Sequence, residues 1–279
     1  MRLTDSLSFL HPCCQALVTP QGVVLVPGGR KPVLMRQCGQ LPASLEDQFC
    51  AAVAVLLQML DEAGLHGLHG RRVQLVASDC WARAAVLSLP AKEGKDEEMD
   101  ALLQQHYRNT YGDLMHGWRW CWSRHAGRLT GLAWPQDALT ALVSGLARRQ
   151  CWLVSAKSSG VEVASQLASG LAECWLVILA QPCITLMRQH DGELQDWFVV
   201  SGNEEIGTGL PVQLARVAAR RGDACRSVLV IDFNVDTNTT GLCQNLRDAG
   251  WAARVCAGHE LSGSMTWRLQ QMRAVRTLA

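Results

Sequence analysis

The stretch CWLVILAQPCITLMRQHDGELQDWFVV, residues 174–200, reads as three short strands in succession. Cys174–Ala180 and Ile184–His190 are apolar-rich runs parted by Gln181-Pro182-Cys183, and Glu193–Val200 follows the Asp191-Gly192 pair. Asp-Gly is a strong hairpin signal because the tight turns that match strand twist need positive φ at their central residues. A similar triplet stands near the start: Gln15–Thr19, Gly22–Val26 and Val33–Gln37. Pro20-Gln21-Gly22 turns between its first two strands, and Pro27-Gly28-Gly29-Arg30-Lys31-Pro32 precedes the third.

After each triplet the pattern alternates helix and strand. Ser44 caps a helix with Glu46 and Asp47 in its first turn, where the macrodipole favours acids; Phe49, Val53, Leu56, Leu57 and Leu60 form its apolar stripe, and Gly64 ends it. Arg72–Ala77 is a strand apolar enough for burial on both faces. Helix Gln136–Arg149, with Pro135 at its start, strand Cys151–Ser155 and helix Gly160–Ser169 complete the first half. The second half continues with a helix from about Leu210 to Arg221, strand Ser227–Phe233, helix Asn238–Ala249, strand Ala252–Cys256 and helix Ser264–Arg276. Each half is thus βββαβαβα.

The first half carries an interruption. Trp81–Leu89 reads as a strand, Glu97–Tyr111 as a helix, and Trp118–Ser123 with Arg128–Trp134 as a hairpin around His125-Ala126-Gly127. This βαββ unit gives an expected division into a first lobe of residues 1–79 plus 135–172, an inserted subdomain at 80–134 and a second lobe at 173–279.

Bulk properties narrow the classes. Hydrophobic residues make up 48% of the 279 and charged ones 18%, which suits a core-rich chain and excludes a disordered one. The formal charge of +1 supplies no global field toward nucleic acid or an anionic membrane. Of the twelve cysteines, Cys151, Cys174, Cys183 and Cys256 sit in or beside apolar strand runs, Cys50 lies within an apolar helix, and none has C-x-x-C spacing, so we expect reduced thiols in a cytosolic protein. Met1–Asp5 lacks the apolar segment of a signal peptide, and no apolar run approaches the ~20 residues that cross a bilayer.

The doubled element order resembles the actin-like, ribonuclease H-like fold, and in particular the FtsA and PilM families and the cytoplasmic region of the type II secretion protein GspL. Local phrases carry the likeness: Arg72–Asp79 leading to Leu87-Ser88-Leu89-Pro90, and Cys174–Ile178 followed by Met187–Glu193. The resemblance implies mixed sheets in two α/β lobes. It also implies a partner: an inner-membrane pilus or secretion subunit, or an assembly ATPase, met at the cytoplasmic face of the inner membrane. A homodimer is a further candidate assembly.

Three departures bear on activity. ATP-binding relatives end the first strand of each triplet with an acid and a glycine that grip phosphate. Here the turns read Val18-Thr19-Pro20-Gln21-Gly22 and Leu179-Ala180-Gln181-Pro182-Cys183, so Thr19, Gln21, Gly22 and Gln181 mark degenerate loops. Ile231–Thr237 stands where a glycine cluster is expected, and the second lobe lacks the additional lobe that closes over nucleotide. ATP is therefore not expected as a cofactor, and no enzyme activity is expected.

Asp79 and Asp232 both fall after a fourth strand, where ribonuclease H-like nucleases hold Mg²⁺, but the first strand has no acid and Glu46 or Asp47 alone cannot complete a two-metal set. Asp232, Asn234, Asp236 and Asn238 alternate like a calcium loop, yet Thr237 and Cys243 occupy its glycine and glutamate positions. His66 and His69 have no further ligand at metal spacing. Trp118, Trp120 and Trp122 share one face of a strand, with Trp81 and Trp134 flanking. Such a face either fills a core or anchors a partner; as the docking candidate, it comprises Trp81, Trp118, Trp120, Trp122 and Trp134.

The expected function is a non-catalytic actin-like scaffold of a type IV pilus or type II-like secretion machine. The alternatives are an actin-like ATPase with divergent phosphate loops and, third, a ribonuclease H-like nuclease.

Overall fold

In the computed structural model the described residues are 13–27, 33–39, 42–64, 71–89, 94–125, 127–166, 173–180, 183–191, 193–201, 206–232 and 239–256. They fall into two compact units, one holding the described residues up to Trp81 with Trp134–Ser159, the other Ala82–Ala133 with the described residues from Gly160 on. The terminal helix expected at 264–276 and the turn at 28–32 lie outside the described residues.

In the first unit, β1 (Cys13–Val18), β2 (Gly22–Val26) and β3 (Leu34–Gln37) form an antiparallel meander. β4 (Arg71–Ala77) and β8 (Cys151–Ser158) extend it on the β1 side in parallel, giving the order β3-β2-β1-β4-β8. Helix α1 (Leu45–Glu62) begins at Ser44, whose hydroxyl accepts from the Asp47 amide at 3.0 Å and so satisfies one orphan donor of the first turn. It packs against α3 (Gln136–Arg148), and Gly145 permits the approach: a Cβ there would sit 2.4 Å from the end of Leu57. Arg149 then clamps the pair through a bidentate bond to Asp61 at 2.7 and 2.5 Å.

The second unit repeats the design. β9 (Glu173–Ala180), β10 (Cys183–His190) and β11 (Glu193–Ser201) form the meander, and β12 (Ser227–Asp232) and β13 (Ala252–Val255) add in parallel, in the order β11-β10-β9-β12-β13. Strand for strand this is the topology of the first sheet. Asp191 sits at φ 51° in the β10–β11 turn, the left-handed conformation that an Asp tolerates. β9 and β10 are buried along almost their whole length because each face carries helices. On one face Val177, Leu179, Leu186 and Val230 meet Leu214 of α5 (Ile206–Arg221) and Leu246 of α6 (Thr239–Asp248). On the other lies α4 (Ser159–Gln166), where a Cβ on Gly160 would stand 2.6 Å from the Trp197 ring.

The insert is a separate three-stranded sheet, ordered β5-β7-β6, of β5 (Arg83–Ser88), β6 (Trp118–His125) and β7 (Arg128–Pro135). Helix α2 (Asp96–Tyr111) covers one face with Met99, Leu103 and Tyr107. Gly127 takes φ 75° in the hairpin turn. β5 lies against β11, so within the second unit the edges of these two sheets cover one another.

Over the described residues the element order, the doubled lobes with mixed sheets and the βαββ insert are those expected from the sequence. Boundaries shift in three places. Trp81 belongs to a single 3-10 turn, Asp79–Trp81, and not to the following strand. β8 runs to Ser158, and α5 begins at Ile206, ahead of Pro211. No helix among the described residues is long and apolar enough to cross a membrane. Among the described residues no two cysteines form a disulfide.

Candidate functional site

Open α/β sheets present ligands at the carboxyl ends of their parallel strands. In the first unit that edge gathers Thr19 after β1, Ser78 and Asp79 after β4, and Ser158 with Ser159 at the end of β8, all buried. The β1–β2 turn is closed on itself. The Thr19 amide donates to the Gly22 carbonyl at 2.9 Å, and the Gly22 amide donates back to the Thr19 carbonyl at 3.1 Å. The Thr19 hydroxyl adds a bond to the Gly22 carbonyl at 3.0 Å. A phosphate-gripping turn needs backbone N–H groups aimed outward; here these two are spent on the hairpin. Gly22 has a packing reason to be glycine, since a Cβ would lie 2.6 Å from the Arg36 carbonyl of β3. Gln181, in the matching turn of the second half, lies outside the described residues.

Both candidate aspartates are tethered. Asp79, fully buried, accepts from the Ser159 hydroxyl at 2.8 Å. Asp232, at the end of β12, accepts from Thr239 at the start of α6 at 2.5 Å. Among the described residues no three His, Cys, Asp or Glu side chains come together as a metal site would require. Asn234, Asp236 and Asn238 of the calcium-like spacing, and His66 and His69, lie outside the described residues.

The five tryptophans separate into two groups. Trp81 and Trp134, 0% and 3% exposed, belong to the core of the first unit, both lying against Phe49 of α1 with ring centroids 5.0 and 5.7 Å away. This corrects their assignment to a docking surface: they are consumed by packing where the insert leaves and rejoins the lobe. Trp118, Trp120 and Trp122 do share one face of β6, and that face turns toward α2. Trp118 is 8% exposed with the Arg83 guanidinium 5.2 Å above its ring, and Trp120 lies 6.0 Å from Tyr107. Trp122 donates its indole N–H to Asp100 at 2.9 Å. Trp120 and Trp122 are only partly buried, so they pack the core and show an edge to solvent. The opposite face of β6 exposes Arg119, Cys121 and Ser123.

Sequence reading missed a charged cluster in the second unit. Arg188, in an otherwise apolar strand, is 6% exposed. Its guanidinium holds Asp223 at 2.5 and 3.2 Å and also meets Glu173 and the Gln189 carbonyl. Burial alone would lift the Asp223 pKa, but the bonds from Arg188 and from the Cys225 amide hold it below the ordinary value. Asp196, beside Arg188 in register on β11 and paired with Arg221 at 2.6 Å, goes the other way: burial raises it, and neither Arg221 nor Arg128 offsets that. A lone arginine inside Ile184–Gln189 was the available signal.

No family model matches the sequence, and no curated protein matches it either. Solved structures do. A chain of the PilM-PilN type IV pilus biogenesis complex superposes with a TM-score of 0.65 at 12% identity, covering 96% of this chain and 99% of that one. A Bacteroides thetaiotaomicron protein described as having an actin-like ATPase fold and unknown function gives 0.60 at 10% identity, covering 97% and 98%. The cytoplasmic domain of EpsL, an inner-membrane component of the Vibrio cholerae type II secretion system, gives 0.53 at 10% identity, covering 95% and 94%. At such identities what is shared is architecture: the chain has an actin-like fold, built from two ribonuclease H-like halves, and resembles PilM and the GspL-type cytoplasmic region.

Proposed function

We propose that this chain is a non-catalytic actin-like scaffold of a type IV pilus or type II-like secretion machine, held at the cytoplasmic face of the inner membrane by a membrane subunit or assembly ATPase. The observation that carries the reading is the end-to-end likeness to a chain of the PilM-PilN complex, which spans nearly the full length of both chains. The EpsL domain adds a second neighbour from a related kind of machine. The closed Thr19–Gly22 hairpin supports the non-catalytic part, because the groups that would meet phosphate satisfy each other. The docking candidate narrows to β6, where Trp120 and Trp122 show their edges and Arg119 is exposed.

The test is co-expression with inner-membrane subunits encoded beside this gene. Co-purification is expected, with loss on Arg119→Glu combined with Trp120→Ala at an unchanged fold by circular dichroism. Co-purification with none of those subunits would sink the scaffold reading; undiminished capture by the variant would sink the site alone. Mg-ATP addresses the rival ATPase. A ligand at 100 times its Kd stabilises the native state by about 2.7 kcal/mol, so a nucleotide site would announce itself as a clear rise in Tm. None is expected.

A further inference from the structure

β6 is the outer strand of the insert's sheet: β7 lies on one side of it, and among the described residues no strand pairs with the other. It is eight residues long, Trp118–His125, and holds no proline and no carboxylate. Proteins usually protect such an edge by shortening it, bulging it, covering it or placing charge on it. β13, the outer strand beside β12, has only four residues. On β6 the protection is charge alone, and Arg119, Cys121, Ser123, Arg124 and His125 are all exposed. An open row of backbone N–H and C=O groups is a template for one more strand. Which strand fits is set by side chains, because directly opposed residues of an antiparallel pair interact and like charges there repel.

We propose that the occupant is β6 of a second copy of this chain, paired antiparallel about a twofold axis that passes through Cys121 perpendicular to the sheet. Such an axis joins the two three-stranded sheets into one of six and keeps both α2 helices on the same side. Around Cys121 the strand reads nearly alike in both directions: Trp120 and Trp122 flank it, Arg119 and Ser123 come next, then Trp118 and Arg124. The axis therefore sets Trp120 against Trp122 of the second copy, Arg119 against its Ser123 and Trp118 against its Arg124, engaging seven of the eight residues. No cation opposes a cation. The two Arg119 positions fall about 13 Å apart along the pair, at ~3.3 Å for each of four residues, which exceeds the Debye length of about 8 Å at physiological salt. Other registers are worse. An axis through Trp120 engages only five residues, one through Trp122 sets Arg119 against His125, and one between Cys121 and Trp122 sets Arg119 against Arg124. The arginines that hold other strands off thus select this one.

The pairing needs no membrane subunit, so it is tested on the full chain alone, and its failure leaves the scaffold reading standing. One strand from each copy makes a small interface, so sedimentation velocity should show monomer giving way to dimer as concentration rises. Ser123→Glu sets a carboxylate against Arg119 twice per dimer by symmetry and should tighten it about 2- to 30-fold. Ser123→Arg should weaken it by a comparable factor, and adding Arg119→Glu to Ser123→Arg restores opposite charges and should recover at least the parent strength. Both positions are exposed, and circular dichroism checks that the fold is kept. Under a mild oxidant the dimer should link through Cys121 of both copies, since directly opposed Cβ atoms stand about 4.5–5.5 Å apart and a disulfide needs about 3.8 Å. A monomer at every concentration would overturn the self-pairing and leave β6 to a strand from another protein. Glu and Arg at position 123 acting alike would overturn the register, as would a dimer that does not link through Cys121.

Discussion

Replacing Trp81 with alanine separates a core residue from a docking residue. Trp81 is fully buried, stacked on Phe49 at 5.0 Å with planes 22° apart, and Trp134 closes the same ring from 5.7 Å. Truncating a buried aromatic to alanine costs about 3–5 kcal/mol, because transfer energy is lost and a cavity remains. The aromatic pairing contributes about 0.5–1.5 kcal/mol of that. One term runs the other way. The Trp81 indole N–H is buried with no acceptor, a burden of about 1–3 kcal/mol that the native core already carries. Trp81→Phe therefore loses volume but sheds the orphan donor, and it should cost at most about 1 kcal/mol. Thermal unfolding reads both, at roughly 4–8 °C per kcal/mol for a unit of 60–100 residues. The expected result is a first-unit transition lowered by more than about 12 °C in the alanine variant and scarcely moved in the phenylalanine one. If alanine cost under ~1 kcal/mol while partner capture vanished, Trp81 would be a docking residue after all. Equal losses for Ala and Phe would refute the orphan-donor argument.

Two further perturbations test the second unit. Asp223→Ala strips the buried Arg188 of its bidentate partner and leaves the half-exposed Glu173, so about 2–4 kcal/mol should be lost in urea unfolding. Its pH signature has a fixed sign: a carboxyl held below its ordinary value of 3.8 contributes stability that is complete above that pH and disappears as pH falls through the depressed value. Asp223→Asn should therefore flatten the acid limb below the ordinary carboxyl value of 3.8, and an unchanged limb would mean the pair contributes nothing. Gly160→Ala pushes a methyl to within 2.6 Å of the Trp197 ring and 3.1 Å of Met187 Sδ. Overpacking of about 1–3 kcal/mol, lessened by the better helix propensity of alanine, should lower the Tm; a neutral result would show that Trp197 can swing aside.

The frame was legible because its signals are local. Apolar runs split by Pro20-Gln21-Gly22 and Asp191-Gly192 announce hairpins wherever they occur, and the doubled order followed from them. What failed depended on partners distant in sequence. An aromatic at 81 reads as strand, but the Trp81 amide closes onto the Ser78 carbonyl at 3.2 Å and turns the chain before β5 begins. Whether Trp118–Trp122 faced solvent or helix depended on α2, and the fate of Trp81 and Trp134 on Phe49, more than thirty residues earlier. Arg188 finds its carboxylates 15 and 35 residues away, a pairing that no period reveals. The helix expected from about Leu210 begins at Ile206, and the missing N–H of Pro211 falls within the opening turns of α5, where it is tolerated.

The two halves still carry their duplication where a ribonuclease H-like site would be built, and that is where their chemistry can be weighed. Each ends its fourth strand beside an aspartate, and each spends it on a hydroxyl at a helix start, Ser159 for Asp79 and Thr239 for Asp232. A ligand entering the first sheet's carboxyl edge would have to break the Ser159–Asp79 bond and reopen the Thr19–Gly22 hairpin before gaining anything. Each such bond is worth only about 0.5–1.5 kcal/mol net, so no single one bars a ligand. Their effect is collective: the Thr19 and Gly22 amides and the Ser159 hydroxyl are all engaged within the edge, so a phosphate would have to compete with each of them. β6 differs in that Arg119 is exposed and Trp120 and Trp122 are only partly buried, although Trp120 already packs on Tyr107 and Trp122 donates to Asp100. On energetic grounds this edge of the first sheet is built to hold shape.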